Sequence, residues 1–413
     1  YITFPLSKVF IYYAGILKLP RFKMNTQVKT VSTGIILMMA IAVCATVANL
    51  YYNQPLLPLM GRTMGIDESH LGLIPFASQM GYAVAILLIS PLGDVIRRKT
   101  LITLLSIGLT FSLLGIYFSI SLWMLVVATF FVGISANITQ QIIPFAASLS
   151  APENKGKVIS TIMAGLTLGI LLSRTVSGTI AEAFDWRTVY LFAAIISVVV
   201  GGLLFIVLPN PEPSAKMRYS ALIISMFTLV KTQPRLREAA ITGALWFAAF
   251  NALWATLAIH VSNEPFSYNV QQAGLFGFVG MAGIVGAKVS GRFVNKLGAN
   301  VLISMSLLFV VLGFAVLAIW GNALTGLVIG ILLLDIGVFG AQIPNQVRLF
   351  SIDLKAQSRI NAVYMLFYYL GAAFGSAIGV KVMAKFDWPG LTMMGLALAL
   401  CAFVFHQTKN RNA

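Results

Sequence analysis

The chain has 413 residues, of which 59% are hydrophobic and only 10% charged, with a net charge of +16. A soluble domain carries about 25% charged residues. The composition therefore excludes a water-exposed globular surface, and lipid is the expected solvent. The basic residues sit in short gaps between long apolar runs. That distribution excludes the one-sided basic patch of a nucleic-acid binder and marks membrane topology instead.

The chain opens at Tyr1, and its first methionine is Met24. Residues 1–23 contain an apolar segment, VFIYYAGILKL, too short to span a bilayer. They read as an upstream extension of the natural protein or as an interfacial anchor. Residues 1–32 together form this extension and a cytoplasmic start.

Apolar runs then fall at 33–57, 70–91, 100–120, 122–146, 157–181 and 187–208. Backbone groups in lipid must be bonded internally, so these are helices. Residues 33–208 make a six-helix half. The gap 209–238 starts with prolines that stop the sixth helix. Its apolar stretch 219–230 predicts a short helix lying along the membrane surface. Six further runs, 239–261, 271–290, 300–320, 323–345, 358–380 and 388–406, make the second half, 239–406, followed by a tail, 407–413. The expected fold is thus all-α, with twelve transmembrane helices in two halves.

Lys and Arg set the orientation. With the N-terminus inside, the cytoplasmic gaps hold Arg97, Arg98, Lys99, Lys155, Lys157, Lys216, Arg218, Lys231, Arg235, Arg237, Arg292, Lys296, Arg348, Lys355 and Arg359, and the tail holds Lys409 and Arg411. The opposite gaps hold only Arg62, Arg187, Lys381 and Lys385. The reverse arrangement breaks the positive-inside rule in nearly every loop.

The halves repeat at an offset of 200 to 202 residues. Pro144 matches Pro344, Gly169 matches Gly371, and Phe184-Asp185-Trp186 recurs as Phe386-Asp387-Trp388. Duplicated halves place a substrate site at their interface near the bilayer midplane.

The gap after the second span reads SPLGDVIRRK, residues 90–99, and the gap after the eighth reads GRFVNKLGAN, residues 291–300. Together they resemble the loop motif G-x-L-A-D-R-x-G-R-K of the major facilitator superfamily. The first copy keeps Leu92, Asp94, Arg98 and Lys99; the second keeps Gly291, Lys296 and Gly298, with Asn295 at the aspartate position. ANLYYNQPLLP, residues 48–58, is similar to the first helix of a bacterial subgroup filed with drug/proton antiporters. The resemblance implies a multi-pass inner-membrane secondary transporter with the major facilitator fold. Two departures stand against proton antiport: Thr129 replaces an arginine common in the fourth span, and Ile170 replaces the proline of the G-x-x-x-G-P pattern in the fifth.

The resemblance assigns Asp94 to the start of the eleventh span, where it would hold one conformation closed. A helix N-terminus stabilises a carboxylate. Arg98 is expected to add an ion pair to Glu153. Asp335 is the one acid near the centre of an apolar run. A carboxylate at that depth is costly, faces the bundle interior, and is suited to loading and releasing a proton. The alternative is a structural pair. Arg174, within the fifth span, fits an anionic substrate, a partner for an acid, or snorkelling. Spans 1, 4, 7 and 10 line the cavity of the resembled fold. They carry Asn49, Tyr52, Asn53, Gln54; Asn137, Gln140, Gln141; Trp246, Asn251, Trp254; and Gln342, Asn345. These side chains either meet cargo or bond helix to helix.

His70, His260 and His406 are scattered near helix ends, and Cys44 and Cys401 lie in apolar runs, so no metal site is expected. Nucleophile motifs, paired carboxylates and a phosphate-binding loop are absent from the sequence, which argues against an enzyme and against direct use of ATP. The expected partners are a small-molecule substrate and the lipid bilayer, for a protein working as a monomer. No cofactor is expected, and a proton gradient is the expected energy source. Export of small organic or amphiphilic molecules comes first, uptake symport second, and a non-transporting receptor third.

Overall fold

The computed structural model describes residues 32–151, 153–213, 218–353 and 356–410. The opening extension, up to residue 31, lies outside the described residues. Ten apolar helices are α1 (Thr33–Met64), α2 (Glu68–Val95), α3 (Arg98–Tyr117), α4 (Leu122–Ser148), α5 (Lys155–Ala183), α6 (Trp186–Val207), α7 (Pro234–Ser262), α8 (Val270–Leu297), α9 (Ala299–Trp320) and α10 (Leu324–Phe350). A linker helix, Tyr219–Thr232, precedes α7.

The last helical stretch, Gln357–Asn410, is 54 residues long. At about 1.5 Å per residue it would overshoot a hydrocarbon core of about 30 Å more than twofold. It is broken at Asp387, where φ is 53°. That left-handed residue divides α11 (357–386) from α12 (388–410). Trp388 Nε1 donates to the Leu317 carbonyl near the end of α9 (3.0 Å), and His406 Nε2 meets the Asn300 carbonyl near its start (3.2 Å). The chain therefore turns back at Asp387, and the described residues hold twelve spans, six on either side of the linker.

Several helices outrun their apolar runs. α1 continues to Met64, α7 starts at Pro234, and α8 and α10 extend to Leu297 and Phe350. Hydropathy reports the lipid layer, whereas the helical bonding continues into polar ends. Pro234 fits the first helical turn, where no N–H is needed. Large apolar side chains such as Phe111, Ile206 and Ile319 are exposed, as lipid-facing residues must be.

The sequence repeat is a packing repeat. A Cβ on Gly169 of α5 would lie 2.4 Å from the Cys44 carbonyl of α1, and one on Gly371 of α11 would lie 2.3 Å from the Ala244 carbonyl of α7. Only glycine permits these backbone approaches.

Four of these spans are interrupted. α1 divides into Thr33–Ala48 and Asn53–Met64, α2 into Glu68–Leu71, Leu73–Leu88 and Leu92–Val95, α4 into Leu122–Ser135 and Ile138–Ser148, and α8 into Val270–Gly280 and Ala282–Leu297. At the breaks the hydrogen bonds tighten to three-residue closures, for example Leu50 N–H to Val47 O (3.1 Å) and Asn137 N–H to Ile134 O (3.2 Å). Such mid-helix tightening marks hinges.

Both described termini lie at one end of the bundle, the end that carries the basic gaps. At the opposite, far end the two halves pack extensively. α2 meets α11 through Phe76–Phe374 and Tyr82–Tyr369, and α5 meets α8 through Gly178 and Gly274. The basic-end segments 33–48, 138–148 and 282–297 pack mainly within their own halves.

Candidate functional site

Four helices, two from each half, bring their polar side chains together at the bundle centre. Arg174 of α5 is 2% exposed and Asp335 of α10 is 0% exposed. Arg174 Nε donates to Gln54 Oε1 of α1 at 2.7 Å, and Nη1 reaches the Ile170 carbonyl at 3.4 Å. Its guanidinium lies 3.8 Å from the ring centre of Trp254 (α7) and 5.4 Å from that of Tyr51 (α1). Charge-assisted bonding and cation–π contact, each about 2 kcal/mol when desolvated, offset part of the cost of burying the cation.

Asp335 and Arg174 act on one another electrostatically, yet no hydrogen bond joins them. Trp254 stands against both. Arg174 Nη2 and Gln54 Nε2 are buried without a hydrogen-bond partner, and Trp254 Nε1 and the Asp335 carboxylate have only each other, outside ordinary hydrogen-bond geometry. Unpaired buried polar atoms are uncommon and call for an explanation. Here they converge from α1, α5, α7 and α10, and they have hydrogen-bonding capacity left for another molecule.

An aromatic wall adjoins this group. Tyr82 and Tyr369 approach to 4.4 Å across the two halves, Phe247 stacks on Tyr368 at 3.7 Å, and Phe250 lies 6.2 Å from Trp254. Trp246 sits edge-on to Tyr368 at 6.4 Å. Gln140 Nε2 donates to the Tyr82 hydroxyl (3.0 Å), and the Tyr364 hydroxyl donates to Gln342 Oε1 (2.7 Å). Asn251 donates to the Phe247 carbonyl (2.9 Å), leaving its oxygen unpaired. Sequence reasoning missed Tyr51, Tyr82, Tyr364, Tyr368 and Tyr369. The signal lay in hydroxyl-bearing rings deep inside apolar runs, including the doublet Tyr368-Tyr369.

Other expected cargo-facing residues stand apart. Asn49 and Tyr52 line a cleft within the N-terminal half, between α1, α3, α4 and α6. Their spacing of three puts them on one face of α1, while Tyr51 and Gln54 share the other. Asn49 instead bonds the Ala45 and Thr46 carbonyls (2.8 and 3.2 Å) next to the helix break. Asn53 is buried with its side-chain oxygen unpaired.

Asn137 and Gln141 belong to the basic end. Asn137 Nδ2 donates to Ser90 Oγ (2.9 Å), and Gln141 Nε2 donates to Asn137 Oδ1 (3.1 Å). Arg98 reaches the Gln141 carbonyl (3.3 Å) and pairs with Asp94 four residues earlier. The loop motif and the amides of α4 are therefore one network. Glu153 is exposed and makes no pair with Arg98 in this structure. Asp94 faces Arg98 of its own half, because among the described residues α11 packs on α2 toward the far end. Lys99 lies 5.0 Å from the Phe205 ring centre. In the second motif copy, Gly298 takes φ +81° and ends α8, while Gly291 and Asn295 are exposed.

The second half has its own basic-end cluster. Arg348 donates to Glu238 Oε1 (2.8 Å) and Asn345 Oδ1 (2.9 Å), and Asn345 Nδ2 reaches the Ala239 carbonyl (3.3 Å). His406 lies 3.6 Å from Glu238. Asn345 is thus part of a charge network tying α7, α10 and α12, one turn or more from the central group.

Comparison with known proteins agrees with this architecture. The chain is 36% identical over 371 residues to the uncharacterized transporter YgaY of Escherichia coli O157:H7, covering 89% of this chain and 94% of that protein. It is 25% identical to the multi-drug resistance efflux pump PmrA of Streptococcus pneumoniae, covering 83% and 88% of the two chains. In three dimensions it matches a bacterial homolog of the human lysosomal transporter Spinster, solved inward-facing and occupied, with a TM-score of 0.74, 13% identity, and 92% and 96% coverage. The profile of the Major Facilitator Superfamily matches residues 39–376. The helix count, the twofold repeat and these similarities have one reading: the chain is a multi-pass membrane transporter and belongs to the major facilitator superfamily.

Proposed function

We propose that this protein is a proton-coupled secondary transporter of small organic molecules, working by alternating access in a bacterial inner membrane with its basic end in the cytoplasm. The observation that carries the reading is the burial of Asp335 and Arg174 where α1, α5, α7 and α10 of the two halves meet. An ionisable pair at such a depth is costly and is characteristic of ion and substrate pathways. Rocking of the halves about the interrupted helices would expose the pair to each side in turn. The distribution of Lys and Arg supports the orientation; a reporter fused at Gln233 that reads as external contradicts it.

Export by proton antiport is supported by the similarity to a protein named as an efflux pump. Uptake by symport is supported by a specific observation, the cation Arg174 beside Asp335. A positively charged cargo would be repelled by that cation, whereas an uncharged or negative one would not. Flux of candidate compounds into inverted and right-side-out vesicles, with and without an imposed proton gradient, tests the proposal. Antiport predicts gradient-driven accumulation in inverted vesicles, and symport predicts it in right-side-out vesicles. Gradient-independent flux in both orientations contradicts proton coupling.

A further inference from the structure

The central group has a chemical preference that goes deeper than transport in general. We infer that Arg174 is the cargo-binding cation of this protein, and that it takes the carboxylate of a small planar organic anion whose ring lies along Trp254 and the tyrosine wall. The inference rests on the transporter reading above, and it names the cargo class.

Four observations carry it. Arg174 is fully enclosed, and its Nη2 has no hydrogen-bond partner. Its Nε is already held by Gln54, which fixes the plane of the guanidinium. A guanidinium so oriented presents a fork that matches a carboxylate. The Trp254 ring centre lies 3.8 Å from it, and the indole also neighbours Asp335, so the cation, an aromatic face and the carboxylate share one site. Finally, a far-end cleft of about 300 Å³ is lined by Pro55, which follows Gln54, and by Ala258, one turn beyond Trp254. The group therefore lies one turn below a space between the halves.

Asp335 gives the binding a proton dependence. Arg174 of α5 is the charged group that acts on it among the described residues, and Trp254 of α7 is its polar neighbour. From α8 and α9, the residues facing this part of α10 include Gly280, Gly283, Gly286, Ser306, Val310 and Gly313, all uncharged. A cargo carboxylate on Arg174 withdraws the cation's field from Asp335 and adds a second negative charge in a dry interior. A proton on Asp335 removes that repulsion. One anion and one proton are thus bound together and move in the same direction.

Benzoate, benzamide and benzamidine share one shape and differ in charge, so they isolate the sign of the site. Binding of each to the full-length protein in detergent is read by calorimetry, with no gradient, so the result is independent of the flux assay. Benzoate should bind about tenfold or more tighter than the other two. Its affinity should rise from mildly alkaline to mildly acidic pH, where benzoate stays ionised. Arg174→Gln should weaken benzoate about tenfold, Arg174→Lys should retain part of the affinity, and Asp335→Asn should flatten the pH profile. Tighter binding of benzamidine, no benzoate binding at millimolar concentration, or wild-type benzoate affinity in a folded Arg174→Gln protein overturns the inference. The wild-type ligand series decides the sign of the site even where a variant fails to fold.

Discussion

Arg174 and Arg348 are both enclosed cations, and they are treated differently. Arg348 is paired directly with Glu238, with side-chain exposures of 12% and 11%. Arg174 has an amide and an indole in place of a bonded acid. The paired cation reads as structural and the open one as functional. Removing one member of a buried pair strands the other, at a cost of roughly 3–5 kcal/mol. Glu238→Gln is therefore expected to lower thermal stability by an amount toward the lower end of that range, since the pair keeps some solvent contact. Glu238→Gln combined with Arg348→Gln should recover part of the loss. A melting temperature unchanged by the single substitution would show that the pair is not structural. At this scale the sequence exposed which polar residues lie in lipid-buried runs, and it singled out Asp335 and Arg174. It did not separate cargo-facing amides from bonding ones. Asn137 and Gln141 are spaced like cavity residues, yet Ser90 and Arg98, about forty or more positions earlier in sequence, claim them. Such partners are set by tertiary packing, and one-dimensional spacing carries no record of it.

Among the elements, the interrupted helices connect sequence to motion. α1 breaks where Asn49, Tyr51, Tyr52 and Pro55 interrupt an apolar run, and a proline leaves a carbonyl without its helical donor. The break turns Tyr51 and Gln54 toward the interface of the halves. α5 and α11, by contrast, are held tightly against α1 and α7 through Gly169 and Gly371. These contacts leave no room for a side chain between the paired backbones. Gly169→Ala and Gly371→Ala both place a methyl group against a backbone carbonyl, and overpacking of this kind costs about 1–3 kcal/mol. The two variants should lose stability by similar amounts in a thermal melt, because they occupy equivalent places in the repeat. A loss in one and none in the other would contradict that equivalence. The twelve spans and their repeat were legible because lipid imposes long apolar runs. Helix ends were not, since the polar turns at either end of a span are invisible to hydropathy. The reversal at Asp387 was placed only as a gap between two runs, and its left-handed geometry became visible in three dimensions.

For the molecule as a whole, the halves are packed at the far end, and their basic-end segments pack mainly within themselves. This asymmetry explains why Asp94 pairs with Arg98 in place of the α11 start. The contact that the resemblance implies for the loop motif would require the basic end to close. Alternating access then requires that the two conformations differ in what the central carboxylate sees. Asp335 has a cation and an indole as neighbours, and it is sealed from solvent here. It is the group proposed to gain and lose a proton if cargo movement is coupled to a gradient.

Transport by Asp335→Asn in proteoliposomes tests this most directly. Asparagine imitates the protonated acid and cannot cycle. With a cargo found by the vesicle screen, the variant should continue downhill exchange and lose gradient-driven accumulation by about tenfold or more. Full uphill accumulation by the folded Asp335→Asn protein would contradict the account.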